Sequence, residues 1–311
     1  MDIFLQQLLL ALPLFSLIFL GYLTMRLSGW PTSVSDGISR FVFTLAVPAM
    51  LFRLMANARD LHRVDARLLV AFFGGCLIVF VIGRLVSWKI FRLDGVAQSV
   101  FALGGIFSNC VMLGLPVARV SLGEAAIPPI AMVVVFNSLT LWTLVTVSVE
   151  WARHGSFSVR GFARTTRGVL TNPVVVGVLS GTLFGLSGWT LPAAIDSPIA
   201  MLAEATAPMS MVALGMALAE YGVRSGIRLS SAICVIKLIV QPLVVWLLAW
   251  ILGLPKLETQ AVVLLASMAT GINVYLMSHH FKALEGPTAG ALVLSTSLAA
   301  VTTPLFLALM H

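Results

Sequence analysis

The tetrapeptide LSGW occurs twice in the sequence, at residues 27–30 and again at residues 186–189, 159 positions apart. Each copy follows a long apolar run and precedes a proline-containing stretch, as in LSGWPTSVSDGI and LSGWTLPAAIDSPI. Clusters of Gly, Pro and Ser of this kind predict turns that end a helix. The repetition predicts that the chain is built from two copies of one unit.

Composition predicts that this unit lies in a membrane. Hydrophobic residues make up 59% of the 311 residues and charged residues only 10%, whereas soluble domains carry about 25% charged residues. The apolar run at residues 8–23 follows Asp2 with no basic residue before it. Because this run approaches the ~20 residues of a membrane span, we interpret it as a first transmembrane helix and not as a signal peptide.

Continuously apolar runs, separated by charged or Gly/Pro-rich breaks, predict ten transmembrane helices. They lack the alternation of a membrane β-barrel, and helices are the other way to satisfy a backbone in lipid. The predicted helices span residues 5–25, 37–56, 67–88, 97–118, 126–150, 168–186, 199–220, 230–252, 258–281 and 287–309.

Three further landmarks recur with nearly the same offset as LSGW. They are Pro48 and Pro208 at an offset of 160, Asn109 and Asn273 at 164, and Glu124 and Glu285 at 161. Each copy holds five helices, an odd number, so the second copy must cross the membrane in the opposite direction, as in many secondary transporters. We predict a first repeat at residues 1–155, a connector at 156–167 and an inverted second repeat at 168–311.

The distribution of Lys and Arg predicts the orientation of the helices. With the N-terminus outside, the cytoplasmic loops hold eleven of these residues and the outer loops six. Both termini are therefore predicted to lie outside the cytoplasmic membrane, with the short basic connector beside anionic lipid inside. Because loops account for the net charge of +7, no nucleic-acid partner is predicted.

The three cysteines, Cys76, Cys110 and Cys234, lie singly in apolar stretches with no CxxC pair. Isolated cysteines of this kind are small packing residues, so neither a metal site nor a disulfide is predicted.

The fourth and ninth predicted helices contain residues that interrupt a helix. In ALGGIFSNCVMLGLPVARV, Asn109 is followed by Gly114 and Pro116; in LLASMATGINVYLMSHHF, Gly271 precedes Asn273. Gly relaxes helical preference, and Pro removes a backbone donor. If both helices break near their Asn, two half-helix N-termini meet at mid-membrane and favour an anion. We predict these five residues as the substrate site; the alternative is that they mediate helix packing.

Polar residues inside other spans are candidates for charge compensation or coupling. Lys237 lies well inside the eighth helix, where an ammonium costs at least ~2.5 kcal/mol, so it should face a cavity or a partner. We predict that it binds the anion as a counter-charge or takes the place of a coupling cation, unless it snorkels to the interface. Gln241, Asn137 and Glu204, the last near the outer end of the seventh helix, are candidates for coupling or gating.

The segment FSNCVMLGLPV resembles the Asn…Gly-x-Pro segment of the auxin efflux carrier family, which includes bacterial malonate-type carriers. TGINVYLMS resembles that family's ninth helix and ATAPMSMVALGMALA its seventh. The full-length resemblance implies a scaffold of helices one, two, six and seven, through which two copies pair as a homodimer. It also implies a moving unit of the other six helices, in which helices four and nine cross.

The crossing implied by this resemblance includes Asn109, Gly114, Pro116 and Asn273. One position departs from the family pattern, because the ninth helix often has a Pro shortly before its Asn and this chain has Ala269 and Thr270 there. We therefore expect the break to depend on Gly271 or to be less sharp.

Together these features predict a secondary active transporter that moves a small organic anion, an auxin-like or malonate-like mono- or dicarboxylate, by alternating access. No cofactor is predicted beyond a coupling ion, either a proton or sodium. One alternative is a passive anion channel. Another is an intramembrane serine protease, because GLSG at residues 185–188 matches a rhomboid-type motif; however, Ser187 lies in the duplicated turn and has no evident catalytic His.

Overall fold

The computed structural model describes residues 3–57, 65–154, 171, 173–220 and 226–310. Across these residues every regular element is a helix. In chain order the helices are α1 (Ile3–Leu27), α2 (Thr32–Ala56), α3 (Arg67–Lys89), α4a (Gly95–Gly104), α4b (Cys110–Leu122), α5 (Ile127–His154), α6 (Pro173–Leu186), α7 (Ala193–Glu220), α8 (Ile227–Ile251), α9a (Lys256–Ser267), α9b (Ile272–Phe281) and α10 (Glu285–Leu309).

Six of these helices, α1, α2, α3, α7, α8 and α10, are long and apolar enough to cross a membrane. The others include shorter apolar helices, among them α4a, α4b and α6. The prediction of an all-helical, multi-pass integral membrane protein is confirmed. The predicted connector at residues 156–167 lies outside the described residues.

Both LSGW copies end a helix in the same way. α1 ends at Leu27 and α6 at Leu186, and the glycine that follows adopts a positive φ of 66° at Gly29 and 81° at Gly188. Glycine tolerates this conformation, which commonly follows a helix C-terminus. The serine hydroxyl of each copy donates to a carbonyl of the last turn, at 2.5 Å in the first copy and 2.6 Å in the second.

The turns after LSGW are shorter than predicted. α2 begins at Thr32, directly after Pro31, and α7 begins at Ala193, directly after Pro192, whereas the sequence placed these starts at residues 37 and 199. The first N–H groups of a helix have no intrahelical partner, so a proline without an N–H is compatible with a helix start. The Ser- and Asp-containing stretches that resembled loops are therefore helical.

Three of the described helices contain a wide π turn. In each of them, a proline lies two residues after the last residue of the turn. The turns and their prolines are Val42–Ala46 with Pro48, Cys110–Gly114 with Pro116, and Ile236–Val240 with Pro242. Proline removes a donor and clashes with the preceding turn, and an extra residue in that turn relieves the clash. Carbonyl groups freed there become available to side chains: Thr206 Oγ1 donates to Ala46 O at 3.0 Å.

Glycines bring two pairs of helices into backbone contact. A Cβ atom at Gly215 of α7 would lie 1.9 Å from the carbonyl oxygen of Ile18 in α1, and one at Gly21 would lie 2.2 Å from that of Val212. Small residues allow such close packing in membranes. α6 packs on α2 in the same manner through glycines 177, 181 and 185.

A second group of helices surrounds the two interrupted ones. α3 and α8 pack against each other, α4a packs on α3 and α5, and α9a packs on α8 and α10. The breaks between α4a and α4b and between α9a and α9b thus lie in the interior of the bundle.

Candidate functional site

The break in the fourth helix lies where the sequence predicted it. α4a ends at Gly104, and α4b begins at Cys110 after Asn109, whose backbone is not helical (φ −77°, ψ 64°). In the following π turn, two N–H groups share the carbonyl oxygen of Asn109, including that of Gly114 at 2.9 Å. Asn109 therefore ends the break and supplies the first acceptor of α4b.

The break in the ninth helix is complete although no proline precedes Asn273. α9a ends at Ser267, the chain is extended at Met268 and Gly271, and α9b begins at Ile272. Gly271 has a negative φ of −75°, so it is not needed for backbone conformation. It allows a close approach, because a Cβ atom there would lie 3.1 Å from the ring of Phe107 and 3.2 Å from Ser108 O.

Thr270 occupies the region where the family often has Pro. Its N–H donates to Ser295 Oγ at 3.0 Å and its hydroxyl donates to Gly104 O at 3.2 Å, at the C-terminal end of α4a. A proline at this position would supply neither donor. Hydrogen bonds from Thr270 to α10 and α4a fix this break instead.

The two breaks pair with each other as an isolated antiparallel bridge between Ser108 and Thr270. The bonds are Asn109 N–H to Ala269 O at 2.9 Å and Gly271 N–H to Phe107 O at 2.8 Å. Unpaired backbone groups are tolerated at membrane depth only where protein or water covers them. Here each break satisfies part of the backbone of the other, so the helices meet at their breaks.

A cavity of about 320 Å³ lies beside the paired breaks. Its wall includes Asn109, Gly271 and Asn273 of the predicted site, together with Asn137 of α5. α2, α5 and α6 also contribute apolar residues to the wall: Phe43, Val134, Val174 and Val175.

The cavity wall offers hydrogen-bond donors and amides. Val111 near the start of α4b, and Ile272 and Asn273 at the start of α9b, line it, and N–H groups at such positions have no partner within their own helix. Asn109 and Asn137 are 6% and 5% exposed, and Asn109 Nδ2 and Asn137 Oδ1 have no hydrogen-bond partner among the described residues. No Asp, Glu, Lys or Arg is among the described wall residues. The arrangement suits an anion held by dipoles and amides, without an ion pair.

Gly114 and Pro116 are not on this wall. Gly114 packs behind it, where a Cβ atom would lie 2.9 Å from Leu265 Cδ2. Pro116 is buried near the start of the regular part of α4b, after the π turn. The two residues therefore pack inside α4b and do not lie at the cavity surface.

Lys237 is fully buried, so the snorkelling alternative is wrong. Its Nζ donates to Ala266 O at 2.6 Å, in the last turn of α9a, and Lys237 is not among the cavity-wall residues. Gln241 is also fully buried, and its Nε2 donates to Ile106 O at 2.8 Å, just beyond α4a. Both side chains contact the breaks from behind.

Glu204 lies elsewhere in the molecule. It is exposed and lies about three turns into α7, because α7 starts six residues earlier than predicted. It interacts electrostatically with Arg53, which forms a two-bond ion pair with Asp196 at 2.7 and 3.0 Å. Glu204 is thus remote from the described wall of the cavity and stays a gating candidate only.

Two polar features were not singled out from the sequence. Arg53 and Arg119, the latter paired with Glu124 at 2.7 Å, line a second cavity of about 330 Å³. Arg84 of α3 donates to Gln98, Ser99 and Ser148. An Arg inside an apolar run was the available signal for Arg84, but its hydroxyl and amide partners come from other helices.

Comparisons with known proteins identify the family of this chain. A family model described as Membrane transport protein (Mem_trans) matches residues 8–158 and 161–307. A Rhizobium meliloti protein named "Putative malonate transporter" is 26% identical over 299 residues, which is 94% of this chain and 92% of that protein. The Escherichia coli K12 "Uncharacterized transporter YfdV" is 23% identical over 95% of both chains. The Arabidopsis thaliana "Auxin efflux carrier component 8" is 19% identical over 87% of this chain and 88% of its own.

The family model covers nearly the whole chain, and the similar proteins are named as transporters and carriers of matching length. The serine-protease alternative finds no support in these names, and the Ser187 hydroxyl is bonded to the last turn of its own helix. The chain therefore belongs to the Mem_trans family of membrane transport proteins, the auxin efflux carrier family, and is a transporter and not an enzyme.

Proposed function

We propose that the protein is a secondary active transporter that carries a small organic anion across the cytoplasmic membrane by alternating access at the paired breaks. The observation that carries this proposal is the cavity of about 320 Å³ on which two half-helix N-termini and three asparagines converge. Ligand cavities have volumes of about 300–1,000 Å³, so this one suits a small molecule. N-terminal N–H groups favour a negative charge.

We infer a mono- or dicarboxylate as the substrate class. Two similar proteins are named for malonate and for auxin, and both compounds carry a carboxylate. The apolar wall from α2, α5 and α6 suits the carbon skeleton, while Asn109 and Asn273 suit the carboxylate. A proton or sodium ion drives the cycle in this proposal.

We also infer ten membrane-crossing helices in two inverted repeats. In this arrangement α1 corresponds to α6 and α2 corresponds to α7, so the contact between α1 and α7 corresponds to the contact between α6 and α2. Both contacts are formed by closely packed glycines. Ser108 and Thr270 pair at an offset of 162, within the range of the sequence landmarks, and an antiparallel bridge has a local two-fold axis. These features support the inversion. The scaffold of α1, α2, α6 and α7 would form the homodimer contact.

The two LSGW copies test the inversion directly. With both termini outside, a Ser28→Cys variant should be labelled by a membrane-impermeant maleimide only after permeabilisation, and Ser187→Cys should be labelled in intact cells. Both serines are exposed, and the three native thiols are buried, so the native chain should give little background. Labelling of both variants from one side contradicts the inverted repeat. A reversed pattern keeps the repeat and overturns the orientation.

Transport by the purified protein in liposomes tests the function. We expect saturable uptake of labelled malonate or a small monocarboxylate, and acceleration of that uptake by unlabelled substrate inside the vesicles. Varying sodium and pH across the membrane identifies the coupling ion. Flux without saturation or counterflow indicates a channel, and failure of every carboxylate to cross overturns the assigned substrate class.

A further inference from the structure

Lys237 and Gln241 contact the two helix breaks at matched places in the repeats. Lys237 follows Cys76 by 161 positions, and its acceptor, Ala266, follows Ile106 by 160. In the first repeat, Cys76 Sγ lies 3.9 Å from Ile106 O; in the second, Lys237 Nζ lies 2.6 Å from Ala266 O. Each position thus faces the carbonyl group at the end of a first half-helix.

These carbonyl groups lie at the C-terminal ends of α4a and α9a, where a helix leaves acceptors unpaired and carries partial negative charge. At α9a the donor is the ammonium group of Lys237. At α4a the corresponding thiol is a weak donor, and Gln241 of α8 supplies the stronger one through Nε2. The same helix therefore contacts both ends with groups of different charge.

The charge of Lys237 lies close behind the cavity. The thiols of Cys76, Cys110 and Cys234 are the ionisable groups near Lys237 among the described residues. Cys110, one of these three residues, also lines the cavity. No Asp or Glu is among the described wall residues of the cavity, and an anion bound there would favour the ammonium form of Lys237.

We propose that two side chains of α8 hold both helix breaks in place as a clamp. Gln241 is the neutral positioning residue at the end of α4a, and Lys237 is the charged positioning residue at the end of α9a. The electrostatic field of the Lys237 ammonium group also attracts the anion in the cavity, on the side lined by Cys110. The part of this proposal that concerns the anion rests on the proposed function. The clamp itself concerns only the backbone geometry of the breaks and holds for any cargo.

Hydrogen exchange tests the clamp without a substrate. Lys237→Met and Gln241→Leu remove the two donors while keeping side-chain bulk, and we expect about ten-fold faster exchange of the Asn109 and Gly271 amides, which pair the breaks. Lys89→Met, the same change as Lys237→Met but at an exposed position, should leave both amides unchanged. Unchanged exchange in both buried variants, with each folded by size exclusion, overturns the clamp whatever the protein transports.

Binding of malonate and of its half-amide, malonamate, tests whether the charge of Lys237 attracts the anion. Coulomb energy is proportional to the charge of the ligand, so Lys237→Met should weaken malonate binding about ten-fold and malonamate binding about three-fold. Gln241→Leu removes no charge and should weaken both equally. Methylammonium added to a Lys237→Ala variant should restore malonate binding in part. If Lys237→Met weakens the binding of both ligands by the same factor, Lys237 acts by positioning alone and the electrostatic part of the proposal is wrong. If the native protein binds neither ligand, the proposed substrate is wrong instead.

Discussion

Replacing Asn109 or Asn273 with Ala is expected to weaken carboxylate binding by about ten- to hundred-fold in either single variant. Both residues line the cavity beside the start of a half-helix, and a hydrogen bond to a charged group is worth roughly 1.5–3 kcal/mol. Isothermal titration of the purified protein with malonate measures the change. Asn57→Ala, at an exposed position outside this cavity, is the matched control and should bind as the native protein does.

The double variant shows whether the two asparagines share one ligand. Residues that contact a common ligand couple energetically, so the loss in Asn109→Ala/Asn273→Ala should differ from the sum of the single losses by at least ~0.5 kcal/mol. Additive losses place the two residues at separate sites. Native affinity in both single variants removes the binding site from the paired breaks and leaves these residues as packing elements.

Gly215→Ala is expected to destabilise the folded protein strongly, although it adds one methyl group. The new Cβ atom would lie 1.9 Å from Ile18 O and 2.9 Å from Tyr22 N, both backbone atoms of α1. Backbone atoms of a helix cannot rotate away as a side chain can, so α1 and α7 must separate along their length. We expect destabilisation of about 3 kcal/mol or more, at or beyond the upper end for overpacking.

Thermal unfolding in detergent measures this effect, with size exclusion as a check of the folded state. Gly37→Ala is the matched control, because Gly37 also lies in a helix and a Cβ atom there has no atom within 4 Å. It should unfold at the native temperature or slightly above, since Ala favours helices by about 1 kcal/mol. Equal stability of the two variants would contradict the close α1–α7 contact.

Both helix breaks could be predicted from the sequence because Gly, Pro and Asn interrupt a helix locally. The pairing of the breaks could not, since the bonds from Asn109 to Ala269 and from Gly271 to Phe107 join distant segments. Thr270 shows the limit of a family pattern. A proline interrupts a helix because it lacks an N–H donor. At Thr270 the N–H and the hydroxyl instead donate hydrogen bonds to Ser295 and Gly104, outside their own helix.

The depth of Lys237 was predictable, but its partner was not. A helix that is apolar on all sides has no polar stripe from which to read the direction of a side chain. The sequence therefore indicated that an ammonium group is buried in α8, and only the structure shows that it contacts Ala266 at the end of α9a. Gln241 lies in the same apolar helix, so the sequence indicated it as a candidate for coupling or gating but did not show which group it contacts.

The antiparallel bridge between Ser108 and Thr270 is self-complementary, because exchanging its two partners regenerates the same pairing. A five-helix chain with one such break could pair with a second copy of itself, as in any isologous dimer. Such a dimer must carry the same residue at both half-helix ends. If the two halves of the chain are inverted repeats, as proposed above, their union in one chain removes this constraint. An ammonium can then be buried at Lys237 alone, where a symmetric dimer would have to bury two or none.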